Sequence, residues 1–354
     1  MDFLSRIEKR GVSRRDFVKF CTAMAATLAL PSTFASQIAE AFAKAARTPV
    51  IWLEFQDCAG DTEALLRATK PTVGDIVLDV LSVDYHETIM APSGHMAEKS
   101  RKDTMNNFKG KYIAVVEGSI PVKDDGIYCC IGGESALDMA KEVCGNAAAT
   151  IAVGTCATHG GIPAANPNPT GAVGVKEAVP NATVINIPGC PMNVENLTAT
   201  VVHFLTFGSL PNTDNLGRPL FAFGKRIHDN CERRAHFGAG QFVRQWGDKG
   251  HRDGWCLYEM GCKGPETFHN CPTVKYNEGT SWPVQAGHGC IGCSEPRFWD
   301  KMSPFYRRLP KVPGFGVEST ADKIGAGLAV ATAAGLAVHG IGRAVSGGKK
   351  DKEE

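Results

Sequence analysis

Six cysteines, joined by a histidine at close spacing to the first, fall between His228 and Cys293 in two sets: His228, Cys231, Cys256 and Cys262, then Cys271, Cys290 and Cys293. Thiolate sulfur selects zinc, cuprous copper or iron–sulfur clusters, and a ligand-dense segment short of long apolar runs wraps more readily around an inorganic core than a hydrophobic one. Three readings compete: zinc, disulfides or clusters. A structural zinc site takes four ligands, usually as two close pairs. Here the close pairs are His228-x-x-Cys231 and Cys290-x-x-Cys293, and the second set stops at three cysteines. Disulfides suit small exported domains without a core, whereas 354 residues with 43% hydrophobic content bury a large one. Clusters fit the sulfur best; the residues alone leave zinc and disulfides open.

Charge is nearly balanced, with Lys+Arg 38 against Asp+Glu 37, so nothing points to nucleic acid. The N-terminus runs Ser13-Arg14-Arg15-Asp16-Phe17-Val18-Lys19, then an apolar stretch from Phe20 to Leu30, then Ala41-Phe42-Ala43. That order is expected of a twin-arginine signal over residues 1–43 with a small-residue cleavage site. The competing reading is a basic amphipathic helix of the mature fold. Thirteen cysteines are many for an exported chain unless they are oxidised or occupied by metal before export. From Ile324 to Val345 the chain is apolar or small apart from Thr332, His339 and Arg343, long enough for a bilayer-spanning anchor, placed at residues 321–346. Its many Ala and Gly residues make it weakly hydrophobic, so a surface helix or flexible tail is the alternative. Lys349, Lys350 and Lys352 follow, which keeps that end cytoplasmic and the globular part outside.

In between, apolar runs at Val50–Phe55, Ile76–Val83, Tyr112–Val116, Thr150–Val153 and Thr183–Ile187 predict strands. Helical patterns intervene, among them Glu63–Thr69, Ser135–Val143 and Asn196–Phe207. The alternation predicts a doubly wound α/β sheet, whose ligands gather beyond the carboxyl ends of the strands. Cys58, Glu117, Cys156 and Cys190 follow the first, third, fourth and fifth runs, so three cysteines distant in sequence should meet at one edge.

Several stretches carry a resemblance: Gly254-Trp-Cys-Leu-Tyr-Glu-Met-Gly-Cys-Lys-Gly-Pro265, Asn270-Cys-Pro272, Ser281-Trp-Pro-Val284, Gly287-His-Gly-Cys-Ile-Gly-Cys-Ser-Glu-Pro296, Leu81-Ser-Val-Asp-Tyr-His-Glu-Thr88, Gly118-Ser-Ile-Pro121, Pro167-Asn-Pro-Thr-Gly171 and Ile187-Pro-Gly-Cys-Pro191. Together they closely resemble the small subunit of membrane-bound uptake nickel–iron hydrogenases, over nearly the whole chain. The resemblance implies a flavodoxin-like domain at 48–220 and a smaller, irregular iron–sulfur cluster domain at 221–310. It implies a distal [4Fe–4S] cluster on His228, Cys231, Cys256 and Cys262. A medial [3Fe–4S] cluster would sit on Cys271, Cys290 and Cys293, with Pro283 standing where a fourth cysteine would complete it.

A proximal [4Fe–4S] cluster would use Cys58, Cys156 and Cys190, and here the chain departs from the family. Where Cys-x-x-Cys is the pattern, this sequence has Cys58-Ala-Gly-Asp61-Thr-Glu63. A carboxylate can bind iron, so Asp61 is a candidate ligand. As an alternative it only caps the helix that follows. Cys129 and Cys130 are rival ligands or, with Cys144, packing cysteines. Glu63 matches a family glutamate beside this cluster, with a role in proton movement or simply at a helix terminus. Gly60 and Gly161 stand where oxygen-tolerant relatives carry two extra cysteines, so their modified cluster is not expected. Cys290/Cys293 is the lone Cys-x-x-Cys pair, which places the nickel–iron site on a large subunit and leaves this chain as its electron wire. The implied acceptor is a membrane quinone-linked or cytochrome b subunit, with a ferredoxin-like subunit as a further candidate partner. Two other classes stand beside it: an electron-transfer subunit of another membrane complex, and a zinc-stabilised exported protein.

Overall fold

Strands apolar on both faces need cover on both sides, and four such runs with a more polar edge strand assemble into one parallel sheet. They are β1 (Thr48–Glu54), β2 (Leu81–His86), β3 (Ile113–Glu117), β4 (Ala149–Val153) and β5 (Val184–Ile187), in the order β2-β1-β3-β4-β5. Every residue of β3 and β4 is buried. The computed structural model describes residues 8, 12–44, 47–68, 81–277, 279–308 and 317–347, in two units that divide between Arg308 and Leu309.

The helices are α1 (Arg14–Thr27), α2 (Phe34–Lys44), α3 (Gly60–Leu66), α4 (His95–Asn107), α5 (Ala136–Asn146), α6 (Gly154–His159) and α7 (Val194–Phe207). On one side of the sheet Tyr85, Tyr112 and Val116 pack with Met105 of α4 and Met139 and Val143 of α5. On the other, Trp52, Val115, Ile151 and Ile185 pack with Leu197 and Val201 of α7. The helical hairpin α1–α2 lies against α7 through a third cluster that includes Phe17, Phe20, Phe42 and Val202. Strand order reverses between β1 and β3, and the crevice beyond their carboxyl ends is where such sheets hold ligands.

The doubly wound sheet is the architecture expected, with one strand end displaced. Among the described residues the second strand runs over 81–86, three residues past the expected end at Val83, and residues 76–80 of that expectation lie outside the described residues. An edge strand tolerates polar side chains if they find partners. Asp84 accepts from Ser82 Oγ at 2.6 Å and Thr104 Oγ1 at 2.8 Å, and His86 stacks on Trp52 at 5.2 Å. Helix α3 starts three residues earlier than the pattern predicted, and Thr69 of that pattern also lies outside the described residues.

From Gly208 to Arg308 the chain is mostly turns and helices of three to five residues. Its buried apolar cluster is small, built on Ile227, Val243, Leu257, Trp282 and Val284 with Cys271 and Cys290 among them. Arg218 ties this segment together. Its buried guanidinium bonds Asp214 at 2.8 Å and Glu295 at 2.9 Å and lies 5.6 Å from the rings of both Phe223 and Phe268. Asn196 of α7 and Asn270 exchange amide hydrogen bonds of 3.0 and 2.8 Å, fixing the segment to the sheet domain.

In the second unit Val317–Gly347 forms one helix, α8, of 31 residues. Within it Gly325–Arg343 gives 19 exposed residues apolar enough to cross a membrane. At 1.5 Å per residue they span about 28 Å, close to a bilayer's hydrocarbon thickness.

Candidate functional site

The first donor set forms at the strand ends. After β1 the chain turns at Ala59, which takes a left-handed φ of 55°, and enters α3 so that Asp61 is carried inward and buried. Its carboxyl group accepts the Met192 N–H at 2.6 Å and lies over Gly154. Burial pushes Asp61 up to about 8; the Met192 bond opposes this and the Glu117 charge adds to it. A carboxyl group so placed holds its proton at neutral pH until a cation displaces it.

The capping alternative for Asp61 is overturned here. The first amides of α3 go instead to Glu117 at the end of β3, which accepts Asp61 N–H at 2.8 Å and Thr62 N–H at 2.9 Å. Asp61 makes its own hydrogen bond to another segment. A side chain that caps nothing in its own helix and aims at the Cys190 loop has the placement of a site residue.

Cys156 sits in α6, directly after β4, and Cys190 in the loop after β5. Burial pushes the Cys156 thiol up to about 11, with the charges of Asp61 and Cys58 acting in the same direction. Cys190 opens toward solvent, yet surrounding protein raises it as well, followed by the charges of Cys293, Cys156, Asp61 and Cys58. These four side chains are thus brought into one electrostatic group. Two glycines keep room beside the sulfurs: a Cβ at Gly60 would stand 3.1 Å from Cys58 Sγ, and one at Gly161 2.5 Å from Cys156 Sγ.

Gly154 has φ +76°, and a Cβ there would come 1.9 Å from Asp61 Oδ2. Gly154→Val is therefore expected to push the carboxylate off its position and to cost about 1–3 kcal/mol in backbone strain alone. Denaturant unfolding of the purified variant, together with its iron content, checks this.

In the second set, His228, Cys231, Cys256 and Cys262 line one cavity with Arg233, Leu257, Tyr258 and Val284. Burial, reinforced by the Arg234 charge, lowers His228 to about 4. The neutral imidazole is the form that binds metal. Burial raises Cys231 to about 11 and Cys256 to about 12.

Cys271, Cys290 and Cys293 form the third set, on a cleft of about 700 Å³ that Pro283, His269 and Cys190 also line. His269 Nδ1 lies 3.0 Å from Cys271 Sγ, and Gly292 N–H points at Cys290 Sγ from 3.3 Å. The three sets touch. Cys190 and Cys293 line the same cleft, and Cys290 N–H meets Cys262 Sγ at 3.3 Å. Thr155 secures the first junction: its hydroxyl accepts Gly189 N–H at 3.0 Å and donates to the Cys293 carbonyl.

No disulfide joins any of the thirteen cysteines. Buried thiols with raised pKa values, an adjacent neutral imidazole, glycines that keep space at the sulfurs and backbone amides aimed at them together fit metal–sulfur clusters. Of the remaining candidates, Glu63 lines the same cleft as Cys190 and Cys271, whereas Cys129, Cys130 and Cys144 lie apart from these sets. Cys129 is half-buried against the core beside α5, Cys130 is exposed and Cys144 is buried in that core. Glu63 is exposed and pairs with Arg67 at 3.0 Å.

Some site residues were invisible in the sequence. Lys263 is buried, donates its amide to the Cys290 carbonyl at 2.7 Å and anchors its ammonium on the Pro304 and Arg307 carbonyls. A lysine ordinarily reads as surface, and its adjacency to Cys262 was the one available signal. Thr155 and Met192 act through hydrogen bonds between distant segments, for which no local pattern exists; Glu117 was placed at the strand ends by the sequence, but not its bonds to the first amides of α3.

A doubly wound α/β domain followed by a short-cored segment, with nine thiols, one imidazole and one carboxylate drawn into three adjoining sets, defines a metal-cluster carrier. The family model for the C-terminal part of nickel–iron and nickel–iron–selenium hydrogenase small subunits matches residues 223–306, and that for the 20 kDa subunit of NADH ubiquinone oxidoreductase matches 58–204. The uptake hydrogenase small subunit of Azotobacter vinelandii is 47% identical over 95% of this chain and 94% of its own. The quinone-reactive nickel–iron hydrogenase small chain of Wolinella succinogenes is 46% identical over 98% of this chain and 99% of its own. In structure, the nickel–iron–selenium hydrogenase of Desulfomicrobium baculatum matches with TM-score 0.69 at 36% identity, covering 74% of this chain and 100% of that one. The chain belongs to the small-subunit family of nickel–iron hydrogenases, whose members carry iron–sulfur clusters, and is part of a hydrogenase heteromer with a nickel–iron large subunit.

Proposed function

We propose that this chain is the electron-transferring small subunit of a periplasm-facing hydrogenase, carrying electrons from hydrogen oxidation in the large subunit toward a membrane acceptor. The observation behind this reading is the continuity of the donor sets, joined through Thr155 between the Cys190 loop and Cys293 and at Cys290–Cys262. Cys58, Asp61, Cys156 and Cys190 would hold a proximal [4Fe–4S] cluster. Cys271, Cys290 and Cys293 would hold a medial [3Fe–4S] cluster, and His228, Cys231, Cys256 and Cys262 a distal [4Fe–4S] cluster. When bound, such clusters accept and release single electrons.

The chain's own work is to place and tune. Buried thiols hold their protons until metal takes their place, backbone N–H groups of Cys290 and Gly292 face sulfur, and buried Lys263 sets a positive charge beside Cys262 and Cys290. The amides and the lysine favour added negative charge and so raise the local reduction potential, whereas burial of the sulfurs opposes it. The relative from Wolinella succinogenes is named quinone-reactive. By that likeness the acceptor here is a quinone-linked or cytochrome b membrane subunit. Residues 1–43 serve as a twin-arginine export signal, residues 48–220 and 221–310 as the two cluster-bearing domains, and 321–346 as the anchor with its lysine-rich end in the cytoplasm.

Two measurements test the reading. The complex purified from membranes should contain nickel and, on this chain, about eleven irons with matching acid-labile sulfide; zinc in place of iron would end it. Deleting residues 321–354 should release the enzyme from membranes while dye-linked hydrogen oxidation survives. A truncated protein that still sediments with membranes would move the anchor to a partner.

A further inference from the structure

The apolar stretch of residues 14–44 is not held away from the fold. Ser13 caps α1, accepting Asp16 N–H at 3.2 Å, and Arg14 and Arg15 stay exposed in its first turn. One turn further on the helix becomes amphipathic, and its apolar face is buried. Phe42 of α2 lies 6.0 Å from the Phe17 ring and 5.6 Å from the Phe20 ring, both edge-on. Beneath them Ala199 and Val202 of α7 are buried at 0% and 1% exposure by this contact cluster. Phe34 adds a ring contact to Phe207 at the end of α7, 6.0 Å away.

We propose that residues 14–44 form an intramolecular latch: docked on α7 in the precursor, the hairpin keeps its apolar stretch and its own cleavage site shut until it is displaced. The proposal rests on reading residues 1–43 as an export signal. Ala41, Phe42 and Ala43 lie in the last turns of α2, with Phe42 3% exposed, so the small-residue site is both helical and partly covered. Peptide bonds in such a state are cut from the opened form, at a rate set by its population. The geometry separates two signals on one segment. The paired arginines remain legible from outside while the apolar face that would seek a membrane or aggregate is occupied by α7.

The test uses the full-length precursor in complex with its large subunit, followed by amide hydrogen exchange and by cleavage with signal peptidase in detergent. Val202→Glu places a charge on the α7 side of the contact and leaves the leader's sequence intact, and Ile38→Asp breaks the contact from the leader side, outside the arginine motif, the Phe20–Leu30 stretch and the cleavage site. In wild type, peptides within 14–44 and 197–207 should be protected. Both variants should lose that protection by about tenfold or more and be cleaved faster in proportion, while β3 and β4 exchange as before. Wild-type peptides 14–44 that exchange as open chain, or variants cleaved at the wild-type rate, overturn the latch. Variants that open but are never cleaved overturn the export reading and the latch with it.

Discussion

If Cys271, Cys290 and Cys293 hold the proposed [3Fe–4S] cluster, a Pro283→Cys variant is expected to hold four irons there in place of three and to lose the oxidised three-iron signal in electron paramagnetic resonance. Pro283 lines the same cleft as Cys271, Cys290 and Cys293, and proline supplies no donor atom to it. The new thiolate would supply the ligand for a fourth iron, for which the three existing cysteines offer none. Added negative charge and the change of cluster type both lower the potential. Electron delivery to the membrane acceptor should then slow more than reduction of a dye at the large subunit. An oxidised three-iron signal unchanged in the variant would mean that Cys271, Cys290 and Cys293 are not the medial set.

The sheet was legible because the strands other than β2 are evenly apolar runs, and such runs need cover on both faces. From that followed the expected gathering of Cys58, Cys156 and Cys190 at one edge, whereas the strand order came only with the fold. β2 continues past its expected end because an edge strand carries Asp84 and His86 without an apolar signal, their cost being met by Thr104 and Trp52 in distant segments. His228-x-x-Cys231 and the cysteines after it stood out by residue type alone. How the sets adjoin did not, since that depends on Thr155 bridging to the Cys293 carbonyl and on amides whose directions only the fold decides. The N-terminal stretch shows the same division. Its apolar face is plain in the sequence, whereas its seat on Ala199 and Val202 depends on which face of α7 the sheet leaves uncovered.

Asp61 offers the other large effect, and the structure sharpens its test. Because Glu117 holds the first amides of α3, replacing Asp61 carries no capping cost. What Asp61→Ala does remove is the acceptor for Met192 N–H, a loss of about 1–3 kcal/mol if that amide stays buried. If the carboxylate also holds iron, Asp61→Ala should lower the iron content of the proximal cluster or change its spectrum. Asp61→Cys should keep four irons, since thiolate is the stronger ligand for them, with a shifted potential and a shifted response to oxygen. Asp61→Asn can retain an oxygen toward Met192 but brings no negative charge to iron, so it isolates ligation from packing. Asp61→Ser shortens the side chain and keeps an oxygen, and partial iron retention there would point the same way. A wild-type spectrum in both Ala and Asn variants, with lowered stability in Ala alone, would leave Asp61 as a hydrogen-bond acceptor for the Cys190 loop and remove it from the ligands.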